Sequence, residues 1–276
     1  DVAPSRGLGD VYKRQIYHNR LSNSLSSLHS EYRRIHMWIE NVIEQQYRIV
    51  KVLKKNEDKE IILLENKENH IRIICRKYTG EICDEVYEKL TRISASNLLK
   101  VYDVQKKENK TIVLEEYIDG ISVAELLNDS CYTPYAMKRV INSVCNGVEV
   151  LHNNSIIHRD IKPDNILVDS NGNIKLIDYD AARIYIKGKE QDTVLLGTAG
   201  YAAPEQYGIV QSDIRTDIYS LGVLINVMLT GEHPSKKMCS GRYRKIVEKC
   251  TRINPDDRYY NCLLYTSPSP RDGATS

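Results

Sequence analysis

The chain changes character at Asp119–Gly120, and this limits what it can fold into. Before that point, short runs rich in Ile and Val alternate with charged turns. We expect strands over residues 47–53, 61–65, 71–78, 98–104 and 111–117. One segment there, 81–93, places Val86, Leu90 and Ile93 at helical spacing. After it the periodicity turns helical over 123–127, 134–152, 217–230 and 243–251. Two brief strands interrupt it at 166–168 and 174–177, joined by the turn Asp169-Ser170-Asn171-Gly172. Residues 39–46 read as a short mixed segment. A β-rich part followed by an α-rich part is an α+β arrangement of two lobes, and the crevice between such lobes is a natural ligand site.

Composition removes several function classes. Lys plus Arg is 39 and Asp plus Glu 37, a net charge of +2, so nothing favours a nucleic-acid surface. No apolar run approaches the roughly 18 residues that a membrane-spanning helix needs. The 7 Cys show no C-x-x-C and no zinc spacing, which fits reduced thiols and a cytoplasmic location. Residues 1–15 and 262–276 have no helical or strand period and resemble translated sequencing-adapter read-through. The first Met is Met37. We therefore expect a non-domain leader over 1–36, a first lobe over 37–118, a second over 119–261 and an extraneous tail over 262–276.

The chemistry concentrates in four ordered motifs. The first is His158-Arg159-Asp160-Ile161-Lys162-Pro163-Asp164-Asn165. Asp178-Tyr179-Asp180 follows, then Gly197-Thr198-Ala199-Gly200-Tyr201-Ala202-Ala203-Pro204-Glu205, then Asp217-Ile218-Tyr219-Ser220-Leu221-Gly222. In this order and spacing they resemble the catalytic domain of protein kinases, of the bacterial serine/threonine type, over about residues 47–261. The resemblance implies a bilobal fold, transfer of the γ-phosphate of ATP to Ser or Thr hydroxyls of a protein, and Mg²⁺ as cofactor. It assigns Asp160 as the base, Lys162 as the charge-neutralising residue and mark of Ser/Thr specificity, and Asn165 and Asp178 as metal ligands. Arg159 would bind a phosphorylated activation segment, with Thr193 its best acceptor. Thr198 resembles the threonine that bonds the catalytic Asp and Lys. Glu205 with Arg258 resembles a buried anchoring pair, and Asp217 a residue that holds the catalytic-loop backbone. The backbone of Glu116 and Ile118 would bind adenine, with Leu167 under the ring.

The first lobe departs from that pattern. The glycine-rich loop is replaced by Leu53-Lys54-Lys55-Asn56-Glu57-Asp58-Lys59-Glu60-Ile61. Its lysines can supply charge but not glycine's flexibility. The phosphate-binding cation has two registers: gapless spacing gives Arg76, while strand alternation gives Lys77, which we favour. Its helix partner is taken as Glu85. Glu115 falls where the family commonly has an apolar residue, and pairing with Lys77 is the one role it offers. The chain has 19 Tyr and no Phe, so Tyr179 stands where the family's Asp-Phe-Gly has Phe. The C-terminal helix is expected to be truncated. Two other readings share these residues: a scaffold domain with weak or no nucleotide binding, and a small-molecule kinase of the aminoglycoside or choline type.

Overall fold

A computed structural model describes residues 39–80, 82, 84–186, 198, 200–207 and 211–262. The chain divides into two units, Asp1–Tyr47 and Arg48–Ser276. From the first, the structure describes helix α1 (Ile39–Gln46), with Ile39 and Ile43 buried. Sequence patterning left that segment unassigned, because eight residues hold too few apolar positions to show a period.

The second unit opens with a five-stranded sheet. Its strands are β1 (Tyr47–Lys55), β2 (Lys59–Asn66), β3 (Arg72–Thr79), β4 (Val101–Lys107) and β5 (Lys110–Glu116), in the order β1-β2-β3-β5-β4. Helix α2 (Asp84–Arg92) buries Val86, Tyr87 and Leu90, as its spacing predicts. Between β1 and β2 the lysine-rich segment forms a tight turn. The Asn56 amide donates to the Lys59 carbonyl at 2.9 Å, and Asn56 Oδ1 accepts from the Lys59 amide at 2.7 Å. An Asx-type turn of this kind closes a hairpin without glycine.

Strand β6 (Gly120–Ser122) leads into helix α3 (Val123–Asp129), where Ser122 and Glu125 form a capping box. Helix α4 (Pro134–Asn153) starts at the cap Thr133 and buries Val140, Val144, Val148 and Leu151 along one face. After it come β7 (Ile156–Ile157), β8 (Ile166–Asp169), β9 (Ile174–Leu176) and β10 (Arg183–Ile184). β7 pairs with β10, while β6, β8 and β9 form a small sheet. Helix α5 (Ile214–Thr230) begins three residues earlier than its apolar pattern suggests, because the Asp213 side chain caps it. It ends at Gly231, whose φ of 74° is the left-handed stop that glycine supplies. Helix α6 (Arg242–Cys250) packs on α5.

The sheet and the helical part share a seam. The Leu99 amide donates to the Leu176 carbonyl, and the Leu176 amide to the Asn97 carbonyl, both at 2.9 Å. Gly147 of α4 lies under that seam: a Cβ there would sit 2.9 Å from the Asn97 oxygen. Buried residues run without a break from Val86, Leu90 and Val101 through Val144 and Leu151 to Leu221 and Leu224. A single core therefore supports both walls of the site. No helix among the described residues is long and apolar enough to cross a membrane.

Candidate active site

The catalytic loop lies between β7 and β8 and is shaped by a buried carboxylate. Asp217, in the first turn of α5, accepts from the amides of His158 at 3.0 Å and Arg159 at 2.8 Å. His152 Nε2 lies 2.8 Å from the same carboxyl group. Burial pushes this carboxyl up, but the bonds and charge of His152 and the His158 amide outweigh it and hold the pKa below the ordinary range. Arg159 sits in the left-handed region with φ 67° and is buried. Gln206 Nε2 holds its carbonyl at 2.9 Å. Such a backbone persists in a non-glycine residue only where its surroundings over-determine it.

The loop aims Asp160 and surrounds it with donors. Lys162 Nζ donates to Asp160 Oδ2 at 2.8 Å and to Thr198 Oγ1 at 2.6 Å. Thr198 in turn donates to Asp160 Oδ1 at 2.6 Å. Asn165 Nδ2 donates to both the carbonyl and Oδ2 of Asp160 at 2.8 Å. Burial raises the Asp160 pKa, but the bonds from Lys162 and Thr198 prevail and hold it below the ordinary carboxylate value. A group so placed stays ionised at neutral pH and can accept a proton from a hydroxyl.

Asp178 follows β9 in the left-handed region, with φ 68°. Next to it, Tyr179 is buried, and its hydroxyl donates to the Leu99 carbonyl at 2.9 Å. Its ring meets Tyr87 and His158 edge-on, at 6.5 and 5.7 Å between centroids. The extra hydroxyl relative to Phe thus has the partner that burial demands. Asp180, one residue on, takes Tyr78 Oη at 2.6 Å, Tyr87 Oη at 3.0 Å and an ion pair with Lys59. Burial raises its pKa, yet the Arg76 and Lys59 cations hold it at about 2.

The cation register is corrected by the structure. Arg76, not Lys77, faces the site: it is buried, with Nε 2.6 Å from Glu115 Oε2 and Nη1 3.2 Å from Asp178 Oδ1. Lys77 is only half buried. The alternation rule assumes one buried face, whereas β3 buries Ile73 and Cys75 on one side and Arg76 and Tyr78 on the other. Nor does the structure bring Glu85 to the site, because it is exposed in the first turn of α2. Tyr87 is the α2 residue that reaches in. The roles of Lys59, Tyr78 and Tyr87 were missed because their partners are remote in sequence, and Glu115, expected to pair with Lys77, pairs with Arg76 instead. The gapless spacing to Arg76 was the one available signal.

The remaining expected residues fall on the following elements. Glu116 ends β5, with its amide on the Lys100 carbonyl at 2.9 Å and its carboxylate on Lys175 Nζ at 2.6 Å. Ile118 follows in the connection to β6, and Leu167 of β8 pairs in register with Ser122. Glu205 and Arg258 form a buried two-pronged pair at 2.7 and 2.9 Å. Thr193 lies outside the described residues. A hard divalent cation suits this donor set. Asn165 uses Nδ2 on the loop and keeps Oδ1 for a ligand, and Asp178 adds a carboxylate. Among the described residues no three His, Cys, Asp or Glu group into a metal site of their own.

A five-stranded sheet with one helix, joined to a helical part that presents Asp160, Asn165 and Asp178, defines a phosphotransferase of the kinase type. The protein kinase domain model matches residues 43–266, and the chain belongs to that family. It is 36% identical over 147 residues to serine/threonine-protein kinase PknL of Mycobacterium tuberculosis, covering 52% of this chain and 37% of that one. It is 34% identical over 145 residues to PknB of the same species, covering 50% and 23%. A probable serine/threonine-protein kinase of Clostridium perfringens is 32% identical over 151 residues, covering 52% and 22%. The matches thus span well under half the length of these relatives.

Proposed function

We propose that this domain transfers the γ-phosphate of ATP to Ser or Thr hydroxyls of a protein. The observation that carries the reading is the closed set around Asp160, with Lys162, Asn165 and Thr198 all within 2.8 Å. In this reading Asp160 takes the proton of the attacking hydroxyl through its carboxylate. Lys162, already beside Asp160, offsets charge on the transferring group. Asn165 Oδ1 and Asp178 hold Mg²⁺, which when bound neutralises phosphate charge. Arg76 binds the phosphates, the backbone of Glu116 and Ile118 takes the adenine edge, and Leu167 packs under the ring. Arg159 reads a phosphorylated Thr193 as the activating event. A cytoplasmic location belongs to the same proposal, supported by the free thiols at Cys131, Cys239, Cys250 and Cys262.

The test is phosphate transfer from labelled Mg-ATP to a generic basic protein, comparing the chain with Asp160→Asn and Asp178→Asn. We expect transfer by the parent and a loss of at least about a hundredfold in each variant. A folded parent that transfers no more than the two variants overturns the proposal.

A further inference from the structure

The charges around Arg76 are arranged in an order that the sequence did not suggest. Three carboxylates approach its guanidinium: Glu115 at 2.6 Å, Asp178 at 3.2 Å and Asp180 at 3.8 Å. Two of them have other work. Asp178 belongs to the metal-binding pair, and Asp180 is taken up by Lys59, Tyr78 and Tyr87. Glu115 alone is committed to Arg76. It is fully buried, and among the described residues its one side-chain hydrogen bond is that from Arg76 Nε. Its second oxygen, Oε1, is buried with no partner. An under-satisfied buried carboxylate is expensive to keep unless its charge is used.

Helix α2 offers no substitute. Glu85 is exposed, Asp84 pairs with Lys106 at 2.9 Å, and the inward position carries the neutral hydroxyl of Tyr87. The anion beside Arg76 therefore comes from β5. Glu115 sits opposite Ile74 in the β3–β5 ladder, so it shares a sheet face with Arg76.

We propose that Glu115 is the positioning residue for the phosphate-binding cation. It grips Arg76 through Nε and so leaves the Nη edge directed at the phosphates of a nucleoside triphosphate. An arginine suits this division better than a lysine. Its planar fork presents separate donors to two anions at once, whereas an ammonium is a single point charge. Because the anchor lies in the sheet, the cation keeps its place whatever α2 does. The proposal rests on the kinase reading above.

Calorimetric binding of Mg-ATP and of adenosine separates the phosphate contribution from the base contribution without requiring turnover. We expect Glu115→Gln to weaken Mg-ATP about tenfold and to leave adenosine within about twofold. In an Arg76→Met background, Glu115→Gln should change Mg-ATP binding no further, since it acts through the arginine. Should Glu115→Gln not fold, Arg76→Met/Glu115→Leu removes both buried charges together. It must bind adenosine as the parent does and lose the preference for Mg-ATP. Unchanged Mg-ATP affinity in Glu115→Gln, an equal loss for adenosine, or the same loss in Glu85→Gln would each overturn the proposal. If the parent transfers phosphate and Glu115→Gln binds Mg-ATP normally, this proposal fails alone. If the parent binds no Mg-ATP, it fails together with the kinase reading.

Discussion

Replacing Thr198 with valine keeps the side chain's shape and removes one hydroxyl. That hydroxyl donates to Asp160 Oδ1 and accepts from Lys162 Nζ, both at 2.6 Å. Each is a hydrogen bond to a charged group, a class worth about 1.5–3 kcal/mol. The two contacts are not additive, since Lys162 keeps its 2.8 Å bond to Asp160. A loss of one such bond in the transition state corresponds to a roughly 10- to 150-fold fall in kcat. Thr198 is only half buried, so the fold should tolerate the change. The assay is steady-state transfer to a basic protein, with kcat and the KM for ATP measured separately and a melting curve for each variant. We expect kcat to fall within that range, KM for ATP to hold, and Thr198→Ser to restore most of the rate. A valine variant within twofold of the parent, or a serine variant as slow as valine, would refute the role given to this hydroxyl.

Two stability outcomes follow from buried charges. Arg258 donates to both oxygens of Glu205 and to the carbonyls of Arg252, Arg215 and Ile253. Arg258→Met strands Glu205 and should cost about 3–5 kcal/mol. At this domain size that is about 6–20 °C in Tm, and adding Glu205→Leu should recover much of it. A melting curve within about 2 °C of the parent would show that the pair carries no such energy. His158 is wholly buried, and burial lowers its pKa below the ordinary 6.5 against the pull of Asp217 and Asp160. The unfolded chain therefore binds a proton that the folded one does not, and stability falls as pH drops from 6.5 toward the folded value. His158→Phe should keep the contact with Tyr179 and flatten that slope in urea titrations. An unchanged slope would mean that other groups set it.

Much of the site was legible because it is local. Residues 158–165 hold Asp160, Lys162 and Asn165, the proposed base, neutralising lysine and metal amide, within eight positions, and Pro163 and the following β8 leave that loop little freedom. Helices α2 to α6 were equally readable from period, apart from ends set by side-chain caps such as Asp213, whereas the short α1 was not. The first lobe was harder. A strand buried on both faces defeats the alternation rule, which favoured Lys77 over Arg76. A carboxylate 39 residues along the chain from Arg76 cannot be recognised as its partner until β3 and β5 pair.

The sequence by itself determined the family, the make-up of the 158–165 loop and the place of Asp178 along the chain, since those depend on short-range order. Tertiary structure alone decided which cation enters the site and which anion holds it. It also decided that Asp180, where a glycine is usual, would be closed off by Lys59, Tyr78 and Tyr87 from up to 121 residues away. Electrostatic partnership falls off over a few ångströms in space and carries no trace in sequence distance, so only the folded sheet could choose among so many charged candidates.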